Sequence, residues 1–502
     1  MSLETTILTI YIVSLSILFI FGSHGFIMIY HYFKTYHKRT DDLKEEDFHL
    51  DTYPVVTIQI PLFNERYVTK RLIDAVCRMD YEKDKLEIQV LDDSTDDSIA
   101  LTKKIVEDKL AEGYDIKYIH RVNREGYKAG ALKEGLEVCR GEFVAIFDAD
   151  FIPRKKFLKR TIPYFYKMEK LGLVQTRWEH LNRDYSMITK TQAIALDGHF
   201  VIEQAVRNRA GFFINFNGTG GIWRKECIFD AGNWEADTLT EDLDLSYRAQ
   251  MKGWKFKYLV NFTSPAELPA DISALKSQQF RWTKGAIETA KKIYPKVLKS
   301  DQPMRIKLQG FIHLWSNLAY PFIMIAALLN LPVLLIKLTG NYETEFKFMS
   351  VFVFAFVSSF LFYMYSQKDV YNDWQERIIF FPVFMSGSMG LAVNNTKAVF
   401  EGLFNKKSEF VRTPKYKIVS KDDSWVDKEY VAKKLPWTTY VEAIMAVYCF
   451  VGVVVAIATA QIAAIPFQMM FFMGFAVTSV LSIQQVTRSN KLAKRRLAMA
   501  KA

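Results

Sequence analysis

Cysteine is scarce in this sequence, and its arrangement argues against a metal centre or a disulfide framework. The 502 residues include four cysteines, with no Cys-x-x-Cys pair among them and no histidine at the spacing of a zinc site: Cys77, Cys139, Cys227 and Cys449. Structural zinc sites and disulfide-rich folds need such clusters. We therefore expect buried, reduced thiols.

Charged residues are absent from several long stretches. No Asp, Glu, Lys or Arg occurs in residues 5–33, 308–336, 348–366 and 378–396, and residues 438–487 contain a single charge, Glu442. Uncharged apolar runs of about twenty residues or more are candidates for membrane-spanning helices. The first run is too long for a cleaved secretory signal and lacks basic residues before it, so we expect a retained anchor.

Basic residues collect beside these apolar runs, which accounts for the formal net charge of +11 without a nucleic-acid partner. They follow the first run and form the tail of the chain: Lys34, Lys38, Arg39, Lys491, Lys494, Arg495 and Arg496. Lys and Arg flank membrane helices on the cytoplasmic side. We expect an integral membrane protein with both flanks in the cytoplasm and the N-terminus outside, which requires an odd number of crossings, about five.

One uncharged run fits a simple span poorly. Residues 378–396 contain Pro382, Gly387, Gly390 and the pair Asn394-Asn395. Irregular backbone at membrane depth is tolerated where protein covers it or where it lines a cavity. We predict that this run lies at the cytoplasmic interface or re-enters the membrane.

The polar stretch 34–307 has the pattern of an α/β domain. Helical patterns at residues 66–78 and from Ser98 onward alternate with apolar runs of strand length, at residues 55–61, 86–91, 116–120 and 143–147. Alternating strands and helices indicate a mostly parallel sheet.

Acidic residues follow two of the predicted strands directly, as Asp92-Asp93-Ser94 and Asp148-Ala149-Asp150. Open α/β sheets bind ligands at the carboxyl ends of their strands, so this edge is a candidate nucleotide site. Two carboxylates on an extended segment can hold a hard divalent ion that neutralises a diphosphate. Taken alone, each motif is more typical of an Asx turn or a helix cap.

Three more segments have a functional and a structural interpretation. The Gly-rich loop with Arg124 and Lys128 can approach a phosphate or be a solvated basic turn. In Thr240-Glu241-Asp242, Asp242 is a candidate general base for a sugar hydroxyl, or the segment simply caps a helix. In Gln278-Gln279-Phe280-Arg281-Trp282, the indole can stack on a sugar ring or lie in the core.

These motifs gain weight from their order within one polar domain flanked by apolar runs. Together the DDS, KAG, DAD, TED and QxxRW motifs resemble the cellulose-synthase-like group of family 2 glycosyltransferases. The segments FNGTGGIWR, TEDLDLSYRAQMKGWKF and QQFRWTKGA are similar to the plant mannan-synthase and xyloglucan-backbone-synthase branches and their bacterial relatives. The resemblance implies a nucleotide-diphospho-sugar transferase (GT-A) domain together with an α-helical transmembrane region.

The resemblance also implies roles for individual residues. Asp242 is the expected catalytic base, and Asp148 and Asp150 are expected to bind Mg²⁺ or Mn²⁺. The residues expected to bind the donor are Asp92, Asp93, Lys128, Asp148, Asp150, Gln278 and Arg281. Those expected at the acceptor site are Trp282, Phe216, Asn217, Gly218 and Glu241.

A basic segment between the last two apolar regions resembles the mobile FxVTxK loop of the same family. Phe410 to Lys415 match it with Arg412 in the place of Val. The resemblance implies that Arg412, Thr413 and Lys415 close over the donor diphosphate. The alternative is a basic loop that touches anionic lipid.

The expected function is an inverting, processive polysaccharide synthase in the plasma or inner membrane. It would transfer glucose or mannose, from UDP-glucose or GDP-mannose, to a growing β-glycan and pass the polymer across the bilayer. The alternative is a single-transfer enzyme that acts on ceramide or polyprenyl phosphate; a transporter or receptor with a soluble insert would not need these ordered acidic motifs. The expected organisation is an anchor (1–33), a cytoplasmic GT-A domain (34–307), a membrane hairpin (308–366), an interfacial or re-entrant segment (367–401), a cytoplasmic gating loop (402–437), a second hairpin (438–487) and a basic cytoplasmic tail (488–502).

Overall fold

The computed structural model describes residues 2–41, 43–407, 412–426, 428–432 and 434–499. Phe410 and Val411 of the predicted loop motif therefore lie outside the described residues. Within the described part, the chain forms an α/β domain that packs against long apolar helices.

Seven strands form one sheet in the order β3-β2-β1-β4-β6-β5-β7. They are β1 (Val56–Leu62), β2 (Leu86–Asp92), β3 (Asp115–His120), β4 (Phe143–Ile146), β5 (Leu171–His180), β6 (Gly221–Arg224) and β7 (Lys255–Ala266). The pairs β1·β2, β2·β3, β1·β4 and β5·β7 are parallel, whereas β6 runs antiparallel to both β4 and β5. The predicted α/β class with a mostly parallel sheet is confirmed.

The four predicted strands lie within one residue of β1 to β4. The apolar runs of β1, β2 and β4 are buried, as is typical of strands inside a parallel sheet, whereas β3 at the edge is half-exposed. The sequence did not reveal β5, β6 and β7. The β6 strand is four residues long and begins at a glycine, and its partners come from distant parts of the chain.

Helices precede, connect and follow these strands. They are α1 (Leu3–Lys34), α2 (Thr69–Cys77), α3 (Ser98–Ala111), α4 (Tyr127–Glu137), α5 (Phe157–Thr161), α6 (Tyr164–Lys167), α7 (Met187–Asp197), α8 (Gln204–Ala210), α9 (Lys225–Asp230), α10 (Glu241–Met251) and α11 (Ile272–Lys299). A π-helical turn, Gly198–Glu203, joins α7 to α8.

The C-terminal half is helical. Its elements are α12 (Met304–Trp315), α13 (Ala319–Lys337), α14 (Glu343–Met349), α15 (Val353–Lys368), α16 (Trp374–Ile378), α17 (Phe381–Gly390), α18 (Ala392–Leu403), α19 (Trp437–Ala458) and α20 (Ile465–Met499). Among the described residues, five helical segments are long and apolar enough to cross a membrane: Leu3–Lys34, Met304–Lys337, Glu343–Lys368, Trp437–Ala458 and Ile462–Leu492. Their outward faces carry exposed side chains such as Ile444 (68%) and Val447 (66%), which suits contact with lipid.

Contacts at the helix ends show how these segments are arranged. Ser2 and Thr5, at the start of α1, each lie 3.4 Å from the Tyr342 hydroxyl, in the turn between α13 and α14. At the other end, Gln367 of α15 donates to Asp197 of the α/β domain at 3.1 Å. The N-terminus and this turn thus share one end of the helix bundle, and the α/β domain lies at the opposite end.

The uncharged run 378–396 is not one straight helix. Trp374–Gly390 and Ala392–Leu403 meet at a 47° bend, which fits either a broken span or a re-entrant loop. The α18 half packs on α11, where the Asn394 amide donates to the Lys276 carbonyl at 3.0 Å. The interfacial or re-entrant placement stays a prediction.

Cysteine labelling tests the expected orientation. With the α/β domain in the cytoplasm, a membrane-impermeant maleimide added to intact cells should label Asn341→Cys, in the exposed turn after α13, and leave Ser424→Cys unlabelled. The four native cysteines are buried and give a low background. Labelling of Ser424→Cys from outside would contradict the expected topology.

Candidate active site

A cleft lies at the carboxyl ends of β1, β2 and β4, where the predicted acidic motifs follow the strands. Its free volume is about 180 Å³, below the roughly 300–1,000 Å³ typical of ligand pockets. Predicted residues from all five motifs and from the loop line it: Asp93, Lys128, Asp148, Asp150, Asn217, Gly218, Glu241, Asp242, Gln278, Arg281, Trp282, Arg412, Thr413 and Lys415. The fold thus gathers residues that are more than three hundred positions apart in the chain.

Each of the two carboxylates of the DAD motif forms an ion pair with a lysine. Asp148 Oδ1 accepts from Lys128 Nζ at 2.6 Å, and Asp150 Oδ2 accepts from Lys415 Nζ at 2.6 Å. The Asp148 amide donates to Thr219 Oγ1 at 2.9 Å, which fixes the backbone at the end of β4. Burial raises the pKa of Asp148, and the neighbouring Lys128 opposes that rise.

Asp242 lies in the first turn of α10, beside Lys128. A Cβ added at Gly218, whose φ is +79°, would meet Asp242 Oδ2 at 3.1 Å and Lys128 Nζ at 3.4 Å. Asp242 Oδ1 accepts from the Leu243 amide at 2.8 Å. Burial, and then the charge of Glu241, raise the pKa of Asp242 to about 7. A carboxylate with such a pKa suits general-base work near neutral pH.

Helix α11 presents the QxxRW residues to the cleft. Asp271 precedes the first residue of the helix and caps it, because its Oδ1 accepts from the Ala274 amide at 2.9 Å. Gln278, Arg281 and Trp282 are three and four positions apart, which places them on one face. All three line the cleft, so amide, guanidinium and indole groups converge on one wall.

The described part of the basic loop is docked into the cleft. Arg412 Nη1 lies 3.0 Å from Glu65 Oε2, and Arg281 Nη2 donates to Thr413 Oγ1 at 3.3 Å. Burial, together with Asp150, raises the pKa of Glu65 to about 7 against the effect of Arg412. The side chains of Arg412, Thr413 and Lys415 therefore form part of the lining of the cleft.

Two predicted site residues lie outside the cleft. Asp92 is buried and accepts from the Ser94 amide at 2.9 Å and from the Tyr118 hydroxyl at 2.8 Å, so it shapes the turn after β2. Phe216 is buried among Trp223 and Trp234 in the core. Both belong to motifs that contain cleft residues, but their own side chains pack away from the cleft.

Several residues that shape the cleft lie outside the predicted motifs. Arg121 Nε and Nη2 donate to both oxygens of Asp93, at 2.8 and 2.7 Å, and hold that carboxylate in place. The centre of the Phe63 ring lies 3.4 Å from the Arg124 guanidinium carbon. Glu65 forms an ion pair with Arg412 of the loop. Phe63 and Arg121 directly follow β1 and β3, so their position at strand ends was an available signal.

The donor set suits a hard divalent ion bound together with a ligand. Among the residues that the structure describes, no group of three or more His, Cys, Asp or Glu side chains forms a metal site. Asp148 and Asp150 supply carboxylate oxygens, which Mg²⁺ and Mn²⁺ prefer, and the amines they now bind show that they accept cations.

Comparison with known proteins identifies the domain. Residues 54–285 match the family model "Glycosyltransferase like family 2". This region is a family 2 glycosyltransferase domain. Glucomannan 4-beta-mannosyltransferase 1 of Oryza sativa subsp. japonica is 44% identical over 270 residues, which cover 53% of this chain and 52% of the rice protein. Glucomannan 4-beta-mannosyltransferase 2 of Arabidopsis thaliana is 43% identical over 265 residues, 51% of this chain and 49% of that protein.

The match to the curated relatives spans about half of their length. A solved structure, a mannosyltransferase from Pyrobaculum calidifontis in complex with GDP-Man and Mn²⁺, has a TM-score of 0.53 at 16% identity. The structural alignment covers 80% of this chain and 100% of the Pyrobaculum chain. The predicted GT-A fold and the family 2 resemblance are therefore confirmed.

A pair of glycine variants separates backbone strain from crowding of the glycosyltransferase cleft. Gly218 and Gly211 have φ values of +79° and +74°, but a Cβ at Gly211 meets nothing within 4 Å. Gly218→Ala and Gly211→Ala should each lower the free energy of unfolding by about 1 kcal/mol, the cost of left-handed backbone. Glycosyl transfer should be lost only in Gly218→Ala; equal activity in the two variants would mean that the space beside Asp242 is not used.

Proposed function

We propose that this protein is an inverting, processive polysaccharide synthase that transfers mannose from GDP-mannose to a growing β-1,4-linked glycan. The observation that carries the proposal is the half-buried Asp242 carboxylate, beside Lys128 and the DAD motif, in a cleft also lined by Trp282. The relatives reported above are named for 4-β-mannosyl transfer to glucomannan, which favours GDP-mannose over UDP-glucose. Their names also do not favour a lipid acceptor.

Different cleft residues would bind different parts of the donor. Lys128 and Arg281 provide positive charge for the diphosphate, and charge-assisted bonds to phosphate are strong in a site that excludes water. Asp148 and Asp150 would hold the divalent ion, which supplies charge neutralisation for the leaving diphosphate. Asp93, which Arg121 holds in place, would contact the nucleoside.

Transfer then needs an acceptor hydroxyl aligned with the anomeric carbon. The Trp282 indole would stack on the terminal sugar of the chain, with Asn217, Gly218 and Glu241 beside it. Asp242 takes the proton of that hydroxyl as the hydroxyl oxygen bonds to the anomeric carbon and GDP leaves. Direct displacement inverts the configuration, so an α-linked donor gives a β-linked product.

The loop acts as a lid in this proposal. Arg412, Thr413 and Lys415 now contact Glu65, Arg281 and Asp150 respectively. Donor entry requires these contacts to open, and the same cationic residues then cover the bound diphosphate and exclude water. We further propose a plasma or inner membrane location with the cleft in the cytoplasm, where nucleotide sugars are made available, and export of the polymer through the membrane helices.

Replacement of the proposed base tests the mechanism. Asp242→Asn should reduce transfer by about 10²–10⁴-fold, the usual contribution of a general base, and leave GDP-mannose affinity within a few fold. The variant should also be slightly more stable at pH 8, because the native carboxylate must ionise while buried. Asp230→Asn, at a half-exposed carboxylate on the same domain, controls for loss of charge. An active Asp242→Asn enzyme, or an α-linked product, would exclude the mechanism.

The raised pKa of Asp242 predicts the pH dependence of kcat/KM for the donor. Because the base works only when ionised, kcat/KM should fall about tenfold per pH unit below pH 7 and level off above it. The effect of Asp242 on the free energy of unfolding has the opposite sign. Because folding raises the pKa of this carboxyl, the folded protein loses stability as the pH rises from the unfolded pKa to about 7. A flat profile between pH 5 and 7 would argue against Asp242 as the base.

Donor choice and metal dependence are tested together on the purified full chain. Radiolabelled GDP-mannose should give a polymer that β-mannanase degrades, whereas UDP-glucose should give little product. Chelation by EDTA should abolish synthesis, and Mn²⁺ or Mg²⁺ should restore it. Full turnover in excess chelator would contradict the role of Asp148 and Asp150.

A further inference from the structure

Glu442, the one charge in the apolar run 438–487, is fully buried in the second turn of α19. Its Oε2 accepts from Lys276 Nζ at 2.6 Å. A carboxylate removed from water at the edge of a membrane helix is costly unless a partner compensates its charge. The two residues are 166 positions apart, so this pair joins the glycosyltransferase domain to the C-terminal membrane hairpin.

Lys276 is a junction of four helices. Its ammonium group also donates to Ser482 Oγ of α20 at 3.0 Å, and it lies 3.5 Å from Thr439 Oγ1 of α19. Its backbone carbonyl accepts from Asn394 of α18 at 3.0 Å. With 6% of its side chain exposed, Lys276 is surrounded by these partners.

A second contact ties the start of α11 to the same hairpin. Gln485 Nε2 of α20 donates to Asp271 Oδ1, the cap of α11, at 2.7 Å, and the Ser273 amide donates back to Gln485 Oε1 at 3.2 Å. Directional bonds at Asp271 and Lys276 therefore fix both the position of α11 along its axis and its rotation. Apolar packing alone is non-directional and would fix neither.

The rotation of α11 matters because the cleft residues follow Lys276 on the same helix. Gln278, Arg281 and Trp282 lie within the next two turns. A helix turns by about 100° per residue, so a modest rotation would carry the Trp282 indole away from the cleft. Asp242 belongs to a separate helix, α10, and would keep its place.

We propose that Lys276 and Glu442 are positioning residues for the acceptor: their ion pair sets the rotation of α11 and so holds Trp282 in register with Asp242. Neither residue lines the cleft, so they act through Trp282 and Arg281. The inference rests on the proposed function and adds that the membrane hairpin determines where the acceptor sugar sits. Loss of the pair should impair chain elongation more than donor binding, and water should then take a larger share of the mannosyl groups.

Single removals are a poor test, because each leaves an unpaired buried charge that destabilises the fold. The double variant Lys276→Met, Glu442→Leu removes both charges at similar volume. The matched control is Lys347→Met, Glu343→Gln, which removes an ion pair of 3.0 Å that is 76% and 79% exposed on α14 of the membrane part. Glu442→Asp keeps the charge and shortens the side chain by one methylene group.

The measurements use the full chain in lipid nanodiscs: the melting temperature, binding of GDP with Mn²⁺ by calorimetry, and the split of GDP-[¹⁴C]mannose between polymer and free mannose. In the double variant we expect GDP affinity within twofold of the wild type, at least a tenfold loss of polymer and a larger fraction of free mannose. Glu442→Asp should remain folded and lose elongation by about threefold. The exposed-pair control should behave as the wild type.

Two results would overturn the inference. A double variant that elongates at the wild-type rate with the same split would show that the pair acts on folding alone. If the double variant does not fold, the Glu442→Asp variant provides the test. Elongation at the wild-type rate in Glu442→Asp would then contradict the inference. Failure of the proposed function is distinguishable, because the wild-type chain itself would then yield neither polymer nor free mannose from GDP-mannose.

Discussion

The site depends on the balance of negative charge buried in one cleft. Asp148, Glu241 and Asp242 are half-buried, and partial burial is the largest cause of the raised pKa of each carboxyl. Burial alone would lower the pKa of Lys128, but Asp148 and Glu241 outweigh it and raise the pKa. The cluster therefore favours additional cations, which explains why the loop lysine, Lys415, docks on Asp150 and why a divalent ion suits the same carboxylates.

This charge balance links the glycosyltransferase domain to the rest of the chain. The loop that brings Arg412, Thr413 and Lys415 to the cleft lies between α18 and α19, within the C-terminal helical part. Helix α11 supplies Arg281 and Trp282 and is bonded to α18, α19 and α20 through Lys276. Two walls of the cleft are thus held by elements of the C-terminal helical part, so the shape of the cleft depends on how the α/β domain packs against these helices.

The sequence predicted the composition of the cleft well wherever a motif follows a strand or opens a helix. It could not separate neighbours within a motif: Asp93 lines the cleft while Asp92 holds a turn, and Asn217 lines it while Phe216 packs in the core. A motif gives residue types at a spacing, but the direction of each side chain depends on the local backbone conformation and on the tertiary packing around it. Arg121 was missed because its partner, Asp93, comes from another strand end.

By itself the sequence determined the α/β class, four strands to within one residue, and the apolar segments, because strand and helix periodicity and the absence of charge are local properties of the chain. Tertiary structure decided the antiparallel β6 in the middle of the sheet and the docking of the loop. It also decided the pairing of Lys276 with Glu442, which the sequence showed as one unexplained charge in a membrane run. These features join residues that are distant in the chain, and long-range burial and charge pairing leave no local pattern from which they could be predicted.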